Sequence, residues 1–579
     1  MAKSNKTLNA EINAKKGVDI PSVYSGRPCM WDITNFRILG NGSLKKRSGF
    51  RHCYTHPSSP VKALWSGKVG GIFRCYILFG SDLCEFNFLG NNTRHVGTIP
   101  ETTDAPCIFH HKNAVFINSS SGFYKVEPTP TKITGYVPLY GKDWGTTYPG
   151  EIYQPLNLLN RTARISYVAT EKDLSAMLST KYHATSVISV YKNGSLLPKS
   201  AYYYDHDYNT INMNSGIYPG DRFVATVEFG DHITDEYSAF LSTNRAATVG
   251  EMTKSRIFAW GGMHKNRLFV SSAVSAEDLS ESMSAVPESN DLYFSESNSF
   301  FVGDGQNDIT AVTQHYDRIL IFTNGDVWMA NADISDGEFP TMSINSTAGC
   351  SSSECVVRAG NSPVSIGQSA ILRWTSATDE RNECNAKSIS DRISEALPQS
   401  FFKNGIAFHD IYKDELWFTE RYGDGTVWIY SVSADRWFAF TGVTADGFFD
   451  ANGNVAFYNG NSLFIFDEGL KDDLLTNYGT TRQIEAFFRT GNLDFETANP
   501  KRLTEIELKF FSDGDPIYVF IITDKDEMAG VSTKSASGHT IMKQRLRSGR
   551  FSFVNAVVLA TGGASQMIHS LTLNAKEKL

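Results

Sequence analysis

The sequence predicts an all-β fold in which a β-propeller is the largest part. Short runs of β-branched and aromatic residues recur at even spacing over residues 407–467, separated by turns rich in Gly, Asn and Asp. Gly and Asn tolerate the positive φ that two-residue hairpin turns require. A similar rhythm recurs on both sides of residues 136–232, which have a different pattern. Repeated sets of strands and turns are typical of propeller blades.

Length and composition set the number and kind of domains. A chain of 579 residues is longer than a domain with a single hydrophobic core usually is. We therefore expect about two to four domains, with a propeller counting as one. Hydrophobic residues make up 41% and aromatic residues 12% of the chain, a balance that suits packed sheets. We therefore expect a folded chain rather than a disordered one.

The pattern divides the chain into five segments and predicts about five to seven blades. A helix is expected around residues 171–179, and a strand–turn pattern with an Asn-Gly turn predicts a compact β-sandwich inserted between blade sets. Alternating polar and apolar positions predict another sandwich near the C-terminus. The segments are an extended N-terminal arm with a basic hairpin (1–60), the first blades (61–135), the inserted β-sandwich (136–232), the remaining blades (233–472) and the C-terminal β-sandwich (473–579).

A basic cluster follows the Asn41-Gly42 hairpin signal in the N-terminal arm. It consists of Lys45, Lys46, Arg47 and Arg51. One interpretation is an arm that contacts DNA phosphates or a protein partner, because such contacts are made by clustered Lys and Arg. The other interpretation is a solvated turn beside a strand.

The overall charge of the chain does not favour a protein that binds nucleic acid tightly. The chain carries 62 acidic and 54 basic residues, a formal net charge of −8. Proteins that bind DNA through its phosphates usually carry a basic excess. A mildly negative surface is compatible with DNA that slides past without sticking.

The eight cysteines do not form a metal-binding pattern. None belongs to a Cys-x-x-Cys pair or has a His at zinc spacing. We expect reduced thiols, with disulfides between Cys75 and Cys84 or between Cys350 and Cys355 as the alternative. The N-terminus has no apolar stretch of a signal peptide, and no 18 apolar residues run together, so a soluble chain without a membrane span is expected.

The patterns associated with catalysis are absent from the sequence. It contains no phosphate-binding Gly-rich loop and no Gly-x-Ser-x-Gly nucleophile motif. The Asp424–Trp428 stretch is faintly similar to the Asp-box turn of sialidases but lacks its preceding Ser, so we interpret it as a blade hairpin. His110 and His111 are adjacent on a predicted strand and point to opposite faces. We expect no enzyme activity, cofactor or metal, with calcium binding at residues 304–308 as a less favoured alternative.

The N-terminal segment resembles a known family. An Asn-x-Arg-x-Leu stretch, a Gly-rich turn and a Leu-Lys-Lys-Arg-x-Gly-Phe-Arg run precede the first propeller strands. This order is similar to the tail nozzle, or tail tubular protein B-like, proteins of short-tailed bacteriophages and to relatives described as packaged-DNA stabilisation proteins. The matching residues are Asn35, Arg37, Leu39, Gly42, Leu44, Lys45, Lys46, Arg47, Gly49 and Phe50.

Further points of likeness lie elsewhere in the chain. Residues 318–323 leading to Trp328, and Arg489–Gly491 with residues 502–507, are similar to the same family. The inserted segment, with Tyr191–Gly194, resembles small sandwich modules of phage tail fibres and tailspikes. The order of the modules departs from that of the best-known nozzles.

The resemblance implies a structural virion protein. It implies a homo-oligomeric ring, a hexamer, that forms the distal tail tube around a channel for double-stranded phage DNA. The implied partners are portal-side tail adaptor proteins and tail fibres or spikes. The implied location is the virion tail, after assembly in the bacterial cytoplasm.

A second hypothesis comes from the range of functions that propellers support. The chain would then be a carbohydrate-binding or carbohydrate-cleaving propeller that acts as a receptor-binding tail protein, with residues 136–230 recognising glycans. Fold alone does not separate the two hypotheses. A host-cell interaction scaffold with no viral role is a third.

Overall fold

The computed structural model describes most of the chain. The described residues are 6–21, 29–112, 114–128, 131–136, 138–142, 151–153, 156–157, 159, 161–169, 173–176, 183–230, 235–249, 255–272, 292–331, 339–375, 385–476, 479–525, 528–533 and 537–577. By its internal contacts the chain separates into two units. The first comprises residues 1–61, 86–93 and 348–579, and the second comprises residues 62–85 and 94–347.

The N-terminal segment is built into β-sheets and is not an extended arm. Its first strand pairs along its whole length with the last strand of the chain, and its fifth strand adds to a blade. Pairing satisfies backbone N–H and C=O groups that an isolated arm would leave to water. The strands are β1 (Lys6–Ile12), β2 (Met30–Thr34), β3 (Phe36–Ile38), β4 (Leu44–Lys46) and β5 (Phe50–Thr55).

Two four-stranded antiparallel sheets follow β5, as the repeated pattern predicts. Each is a meander in which consecutive strands are neighbours, the arrangement of a propeller blade. The first contains β6 (Val61–Val69), β7 (Ile72–Phe79), β8 (Asp82–Asn87) and β9 (Asn92–Thr98). The second contains β10 (Cys107–His111), β11 (Ala114–Ser119), β12 (Gly122–Pro128) and β13 (Thr131–Tyr136).

The inserted module is a β-sandwich. One sheet has the order β20-β19-β23-β17 and the other has the order β18-β22-β21, with Val190, Ile211 and Phe223 buried in its core. The predicted helix at 171–179 is wrong where residues are described, because β18 pairs with β22 there. The strands are β14 (Leu139–Lys142), β15 (Glu151–Tyr153), β16 (Leu156–Asn157), β17 (Thr162–Val168), β18 (Asp173–Ala176), β19 (Ser186–Lys192), β20 (Ser195–Leu196), β21 (Tyr202–Asp205), β22 (Thr210–Ile217) and β23 (Arg222–Glu228), with a 3₁₀ turn at Lys199–Ala201.

The blade pattern resumes after a short helix, α1 (Asp235–Leu241). A four-stranded meander, to which β14 adds in parallel, is followed by a second one. Their strands are β24 (Arg245–Val249), β25 (Arg256–Trp260), β26 (Arg267–Ser271), β27 (Tyr293–Phe301), β28 (Ile309–His315), β29 (Arg318–Thr323), β30 (Val327–Asn331) and β31 (Thr341–Asn345).

Three further meanders belong to the first unit. The last contains three consecutive strands and is completed by β5 from the N-terminal segment. A 3₁₀ turn at Ser353–Cys355 precedes the first of the three, and a 3₁₀ turn at Asp391–Ala396 and α2 (Gln399–Asn404) connect the first to the second. The strands are β32 (Val356–Ala359), β33 (Ser362–Ile366), β34 (Ile371–Trp374), β35 (Ala386–Ser388), β36 (Gly405–Asp410), β37 (Glu415–Glu420), β38 (Val427–Ser431), β39 (Arg436–Phe440), β40 (Gly447–Asp450), β41 (Val455–Asn459) and β42 (Ser462–Phe466).

The turns that the sequence marked as hairpins have the expected backbone. Asp414 has a φ of 53°, Gly425 of 82° and Asp435 of 50°, each between two paired strands. This left-handed region is favourable for Gly and tolerable for Asp. The hairpin interpretation of Asp424–Trp428 fits this geometry.

The C-terminal module is a second β-sandwich. Its strands show the predicted alternation, since buried and partly exposed residues alternate along all seven residues of β47. One sheet contains β51, β46 and β49 with β1, β3 and β4, and the other contains β45, β50, β47 and β48 with β2. The strands are β45 (Ala486–Thr490), β46 (Lys501–Asp513), β47 (Ile517–Thr523), β48 (Met528–Ser532), β49 (Ser537–Arg545), β50 (Val554–Ala560) and β51 (Met567–Glu577). Before them, β43 (Asp473–Leu474) and β44 (Thr481–Arg482) lie beside β5 in the sheet of the last blade.

The architecture is therefore all-β, with a β-propeller split by an inserted β-sandwich and followed by a C-terminal β-sandwich. Over the described ranges, seven groups of four antiparallel strands have the blade pattern, four as separate sheets and three as parts of larger sheets. The two helices there have seven and six residues, and none of the helices in that part of the chain is long and apolar enough to cross a membrane.

Candidate functional site

The four predicted contact residues have very different surroundings. Lys46 and Arg47 are buried, with 1% and 4% of their surface exposed. The side chains of Lys45 and Arg51 are 39% and 29% exposed. The solvated-turn interpretation is thus wrong for Lys46 and Arg47. Contact of this cluster with DNA or a protein partner stays a prediction. Of the four residues, Lys45 and Arg51 have charged groups near enough to the surface to make such a contact.

Arg47 lies at the centre of a buried polar network. Its two terminal nitrogens donate to the two carboxylate oxygens of Asp473 at 2.8 and 2.9 Å. Its Nε donates to Asn35 Oδ1 at 2.8 Å, and Nη2 also donates to the Thr441 carbonyl at 3.0 Å. A paired geometry of this kind is the strong form of the Arg–carboxylate interaction. Arg47 thereby joins the N-terminal segment to residues more than 390 positions away.

Asn35 completes the network from the other side. It has a φ of 57°, which Asn tolerates better than most residues. Its amide group donates to Thr441 Oγ1 at 2.9 Å and to the Glu485 carbonyl at 2.8 Å, while Oδ1 also accepts from the Thr441 amide. Because the charge and the amide are both satisfied, the network can remain buried.

Lys46 is buried on the opposite face of β4. Its Nζ donates to the Gly562 carbonyl. Burial lowers the pKa of Lys46 to about 8, although Asp472 opposes this shift. Lys46 therefore anchors β4 inside the C-terminal module.

The two exposed basic residues belong to surface ion pairs. Lys45 Nζ lies 3.6 Å from Glu468, which Arg37 and Lys413 also approach. These bases hold the pKa of Glu468 below its ordinary value, although burial acts in the opposite direction. Arg51 lies 3.6 Å from Asp467 and donates to Asn91 Oδ1 at 3.0 Å. Their positive charges are therefore partly compensated within the chain.

A cleft of about 550 Å³ lies on the nine-stranded sheet of the same unit. Strands β38, β39, β2 and β45 are neighbours there, and Ala439 faces both Trp428 and Thr34 across the pairing, while Thr34 faces Phe487. Two small side chains, Ala439 and Thr34, lie between the large aromatic side chains of Trp428 and Phe487 and leave a concave surface. The lining residues are Asp32, Thr34, Ala396, Pro398, Phe401, Glu420, Asp424, Thr426, Trp428, Ala439, Thr441 and Phe487.

The polar groups of this aromatic cleft are acidic. Burial raises the pKa of Asp32, and the hydrogen bond from Thr34 Oγ1, at 2.7 Å, opposes the shift. Asp424 accepts from the Thr426 amide at 2.8 Å, and the Glu420 carboxylate has no hydrogen bond or ion pair with the described residues. Carboxylates beside an aromatic face can accept from the hydroxyl groups of a sugar that stacks on the ring. Sequence spacing did not indicate this cleft, because its walls are more than 450 residues apart.

The remaining candidates occupy ordinary structural positions. The His110 ring stacks on Trp65 at 5.6 Å, whereas His111 is buried and burial lowers its pKa to about 4. Asp304 accepts from the Gln306 amide at 3.1 Å, as in a polar turn. Within the described ranges, no three His, Cys, Asp or Glu residues come together as metal ligands.

The disulfide alternatives do not fit the strand pairing. Cys84 faces Ile77, not Cys75, across the β7–β8 hairpin. Cys355 carries a thiol, whose Sγ donates to the Gly405 carbonyl at 3.2 Å. The Cys350–Cys355 disulfide is therefore not present.

Comparison with known proteins gives structural likeness only. No family model matches the chain, and no curated protein matches it. Similar solved structures include a chain of the mitotic checkpoint complex, with a TM-score of 0.31 and 8% identity, covering 75% of this chain and 93% of that one. The WD40 domain of SCAP from fission yeast has a TM-score of 0.31 at 8% identity, over 74% of this chain and 94% of that one. The Pan2 WD40 domain of Neurospora crassa has the same score and identity, over 74% and 97%.

Proposed function

We propose that this chain is a structural virion protein of a bacteriophage tail, without enzyme activity. In this function it forms a hexameric ring, the nozzle or distal tail tube, around the DNA channel. The ring retains packaged DNA and lets it exit when the phage attaches to its host. Its partners are the portal-side adaptor proteins, the tail fibres or spikes, and the DNA that passes through the lumen.

The observation that supports this function best is the position of the residues that resemble the nozzle family. Asn35, Arg47 and Phe50 are buried, and they connect the N-terminal segment to the last blade and to the start of the C-terminal module. The Phe50 ring lies edge-on to Phe457 at 5.0 Å and to Phe464 at 5.6 Å. The shared pattern therefore coincides with a structural anchor, as expected for a scaffold protein. Rings of such subunits close through repeated head-to-tail contacts.

Electron microscopy of the purified chain tests this function. We expect negatively stained particles to be rings with sixfold symmetry and a central channel. Mass photometry should give a mass of about six chains of 64.2 kDa. A particle that stays monomeric at all concentrations, both alone and with the tail adaptor of the same phage, would contradict the ring.

A second candidate function is favoured by the aromatic cleft. In this function the chain is a receptor-binding tail protein whose propeller binds or cleaves bacterial surface carbohydrate. Trp428 supplies an apolar face, and Glu420 and Asp424 supply acceptors for sugar hydroxyls beside it. The cleft volume of about 550 Å³ is in the range of small-molecule sites.

Replacing Trp428 by alanine tests the second function. If the cleft binds polysaccharide, the Trp428→Ala variant should bind it about fivefold or more weakly, because a stacked ring contributes about 1 to 3 kcal/mol. Tyr422→Ala is a matched control, since Tyr422 is 84% exposed in the preceding turn and does not line the cleft. Calorimetry with fragments of host polysaccharide measures the affinity, and the release of reducing ends measures cleavage. If both variants and the unchanged chain bind polysaccharide equally well, this cleft is excluded as the binding site.

A further inference from the structure

Three polar side chains form a continuous chain across the C-terminal sheet. Ser43 Oγ lies 3.0 Å from His569 Nδ1, and His569 Nε2 lies 3.2 Å from His539 Nδ1. The two imidazole rings are 5.3 Å apart between centroids, with 24° between their planes. Both distances are those of hydrogen bonds. We refer to Ser43, His569 and His539 as the histidine clasp.

The histidine clasp joins three strands that are not consecutive in the sheet. Ser43 immediately precedes β4, His569 lies on β51, and His539 lies on β49. The strand β46 runs between β51 and β49, and its register with β51 shifts between Lys509 and Phe510, next to His569. The His539–His569 bond therefore crosses β46. In the described part of the chain β49 pairs only with β46, so the clasp is a second attachment of this edge strand.

We propose that the histidine clasp is a pH-sensitive link, which holds β49 and the β3–β4 hairpin to β51 at neutral pH and opens when both imidazoles are protonated. This device goes beyond the tail function and does not depend on it. It needs only the three side chains and the sheet that positions them.

The hydrogen-bond inventory explains why the second proton opens the clasp. With both rings neutral, the Ser43 hydroxyl donates to His569 Nδ1, and His569 Nε2–H donates to His539 Nδ1. One added proton can be accommodated, because His539 Nδ1–H then donates to His569 Nε2 and His569 Nδ1–H donates to Ser43 Oγ. A second proton places an N–H on each of the two facing nitrogens. No hydrogen bond then remains between the rings, and two positive charges face each other.

The surroundings favour the neutral state of His569. Burial and the neighbouring His539 lower its pKa below 6.5. On acidification the unfolded chain therefore binds this proton before the folded chain does, so stability falls as the pH drops through and below 6.5. The Phe511 ring, 5.0 Å from His539, adds apolar surface. The charged residues on the exposed face of the strands around the clasp are Glu11 on β1, Lys45 on β4, Glu505, Glu507, Lys509 and Asp513 on β46, and Lys543 and Arg545 on β49, and Lys15 lies against Gly42 beside Ser43.

Two of these carboxylates on β46 are already engaged by other groups. Glu507 lies 2.7 Å from Lys543 and 3.6 Å from Lys509, and Lys45 lies 3.6 Å from Glu468. Asp513 accepts from Ser565 Oγ at 3.0 Å. The second proton therefore meets the repulsion of the first within the clasp.

Two measurements on the full chain test the histidine clasp. Histidine labelled with ¹³C reports the titration of each ring by NMR, assigned from the His539→Gln and His569→Gln variants. We expect the titration of His569 to change when His539 is replaced by Gln, because the two rings share a hydrogen bond. An unchanged titration of His569 in His539→Gln would overturn the clasp.

Hydrogen exchange measures the opening itself. When the pH is lowered from 7.5 to 5, amide exchange in residues 537–545, corrected for the intrinsic rate, should accelerate about tenfold. This is the effect of the repulsion between two unit charges 3.2 Å apart in water. His569→Gln keeps a donor and an acceptor but cannot be charged, so this acceleration should disappear. His183→Gln, an exposed histidine in the inserted module, and the segment 517–523 are the controls. Equal acceleration in His569→Gln and the unchanged chain would refute the link.

Discussion

Replacing Arg47 by methionine is expected to lower the free energy of unfolding by about 3 to 5 kcal/mol. The side chains of Arg47 and Asp473 are 2% and 0% exposed, and they share two hydrogen bonds. Methionine keeps much of the volume but leaves the Asp473 carboxylate with Arg482 and the Phe50 amide as its remaining partners among the described residues. A buried charge that loses its main partner is strongly destabilising. Urea unfolding of the purified chain measures the change.

The control for this prediction is Arg51→Met. Arg51 also forms an ion pair, but its side chain is 29% exposed and Asp467 is 43% exposed, so a loss below about 1 kcal/mol is expected. The double variant Arg47→Met with Asp473→Asn should lose less than the sum of the single losses, because the two residues interact directly. Equal, small effects of Arg47→Met and Arg51→Met would show that the buried network contributes little.

Replacing Gly49 by alanine is expected to destabilise the chain by about 1 to 3 kcal/mol or more. A Cβ atom on Gly49 would lie 2.6 Å from the carbonyl carbon of Asp472 and closer still to its oxygen. Backbone atoms cannot turn away as a flexible side chain can. The Gly49 amide also donates to the Leu470 carbonyl at 2.9 Å, which fixes this close approach. Thermal unfolding should show a lower midpoint.

Gly40→Ala, in the turn between β3 and β4 of the same segment, is the matched control. A Cβ atom at Gly40 meets nothing within 4 Å, and its backbone needs no positive φ. Its substitution should change the free energy of unfolding by less than about 0.5 kcal/mol. If Gly49→Ala were as stable as Gly40→Ala, the contact between residues 49 and 472 would not constrain the N-terminal segment.

The blades were predictable because their signals are local. Within the strand rhythm of residues 407–467, the run at 463–466 forms β42 (462–466) and the run at 415–419 forms β37 (415–420). Turn residues with a positive φ separate such strands, and this preference belongs to the residue itself. The first strand of the last blade, β40 at 447–450, was missed because it has only four residues and follows an irregular stretch.

The roles of the basic residues were not predictable in the same way. A run of Lys and Arg usually lies on a solvated surface, yet Arg47 is paired with the carboxylate of Asp473, 426 residues away in the chain. Asp473 carries no local signal that distinguishes it from the other acidic residues. The aromatic cleft and the histidine clasp are likewise formed by strands that lie far apart in the chain and side by side in a sheet.

Local patterns were enough to predict the all-β class, the strand and turn rhythm of the blades, and the presence of two sandwich modules. These depend on side-chain periodicity and turn chemistry, which act over a few residues. The pairing of β1 with β51, the completion of the last blade by β5, and the burial of Arg47 against Asp473 became evident only in the folded chain. Strand partners and buried charge pairs depend on which distant backbone edges and side chains meet, and neighbouring residues carry no signal for that.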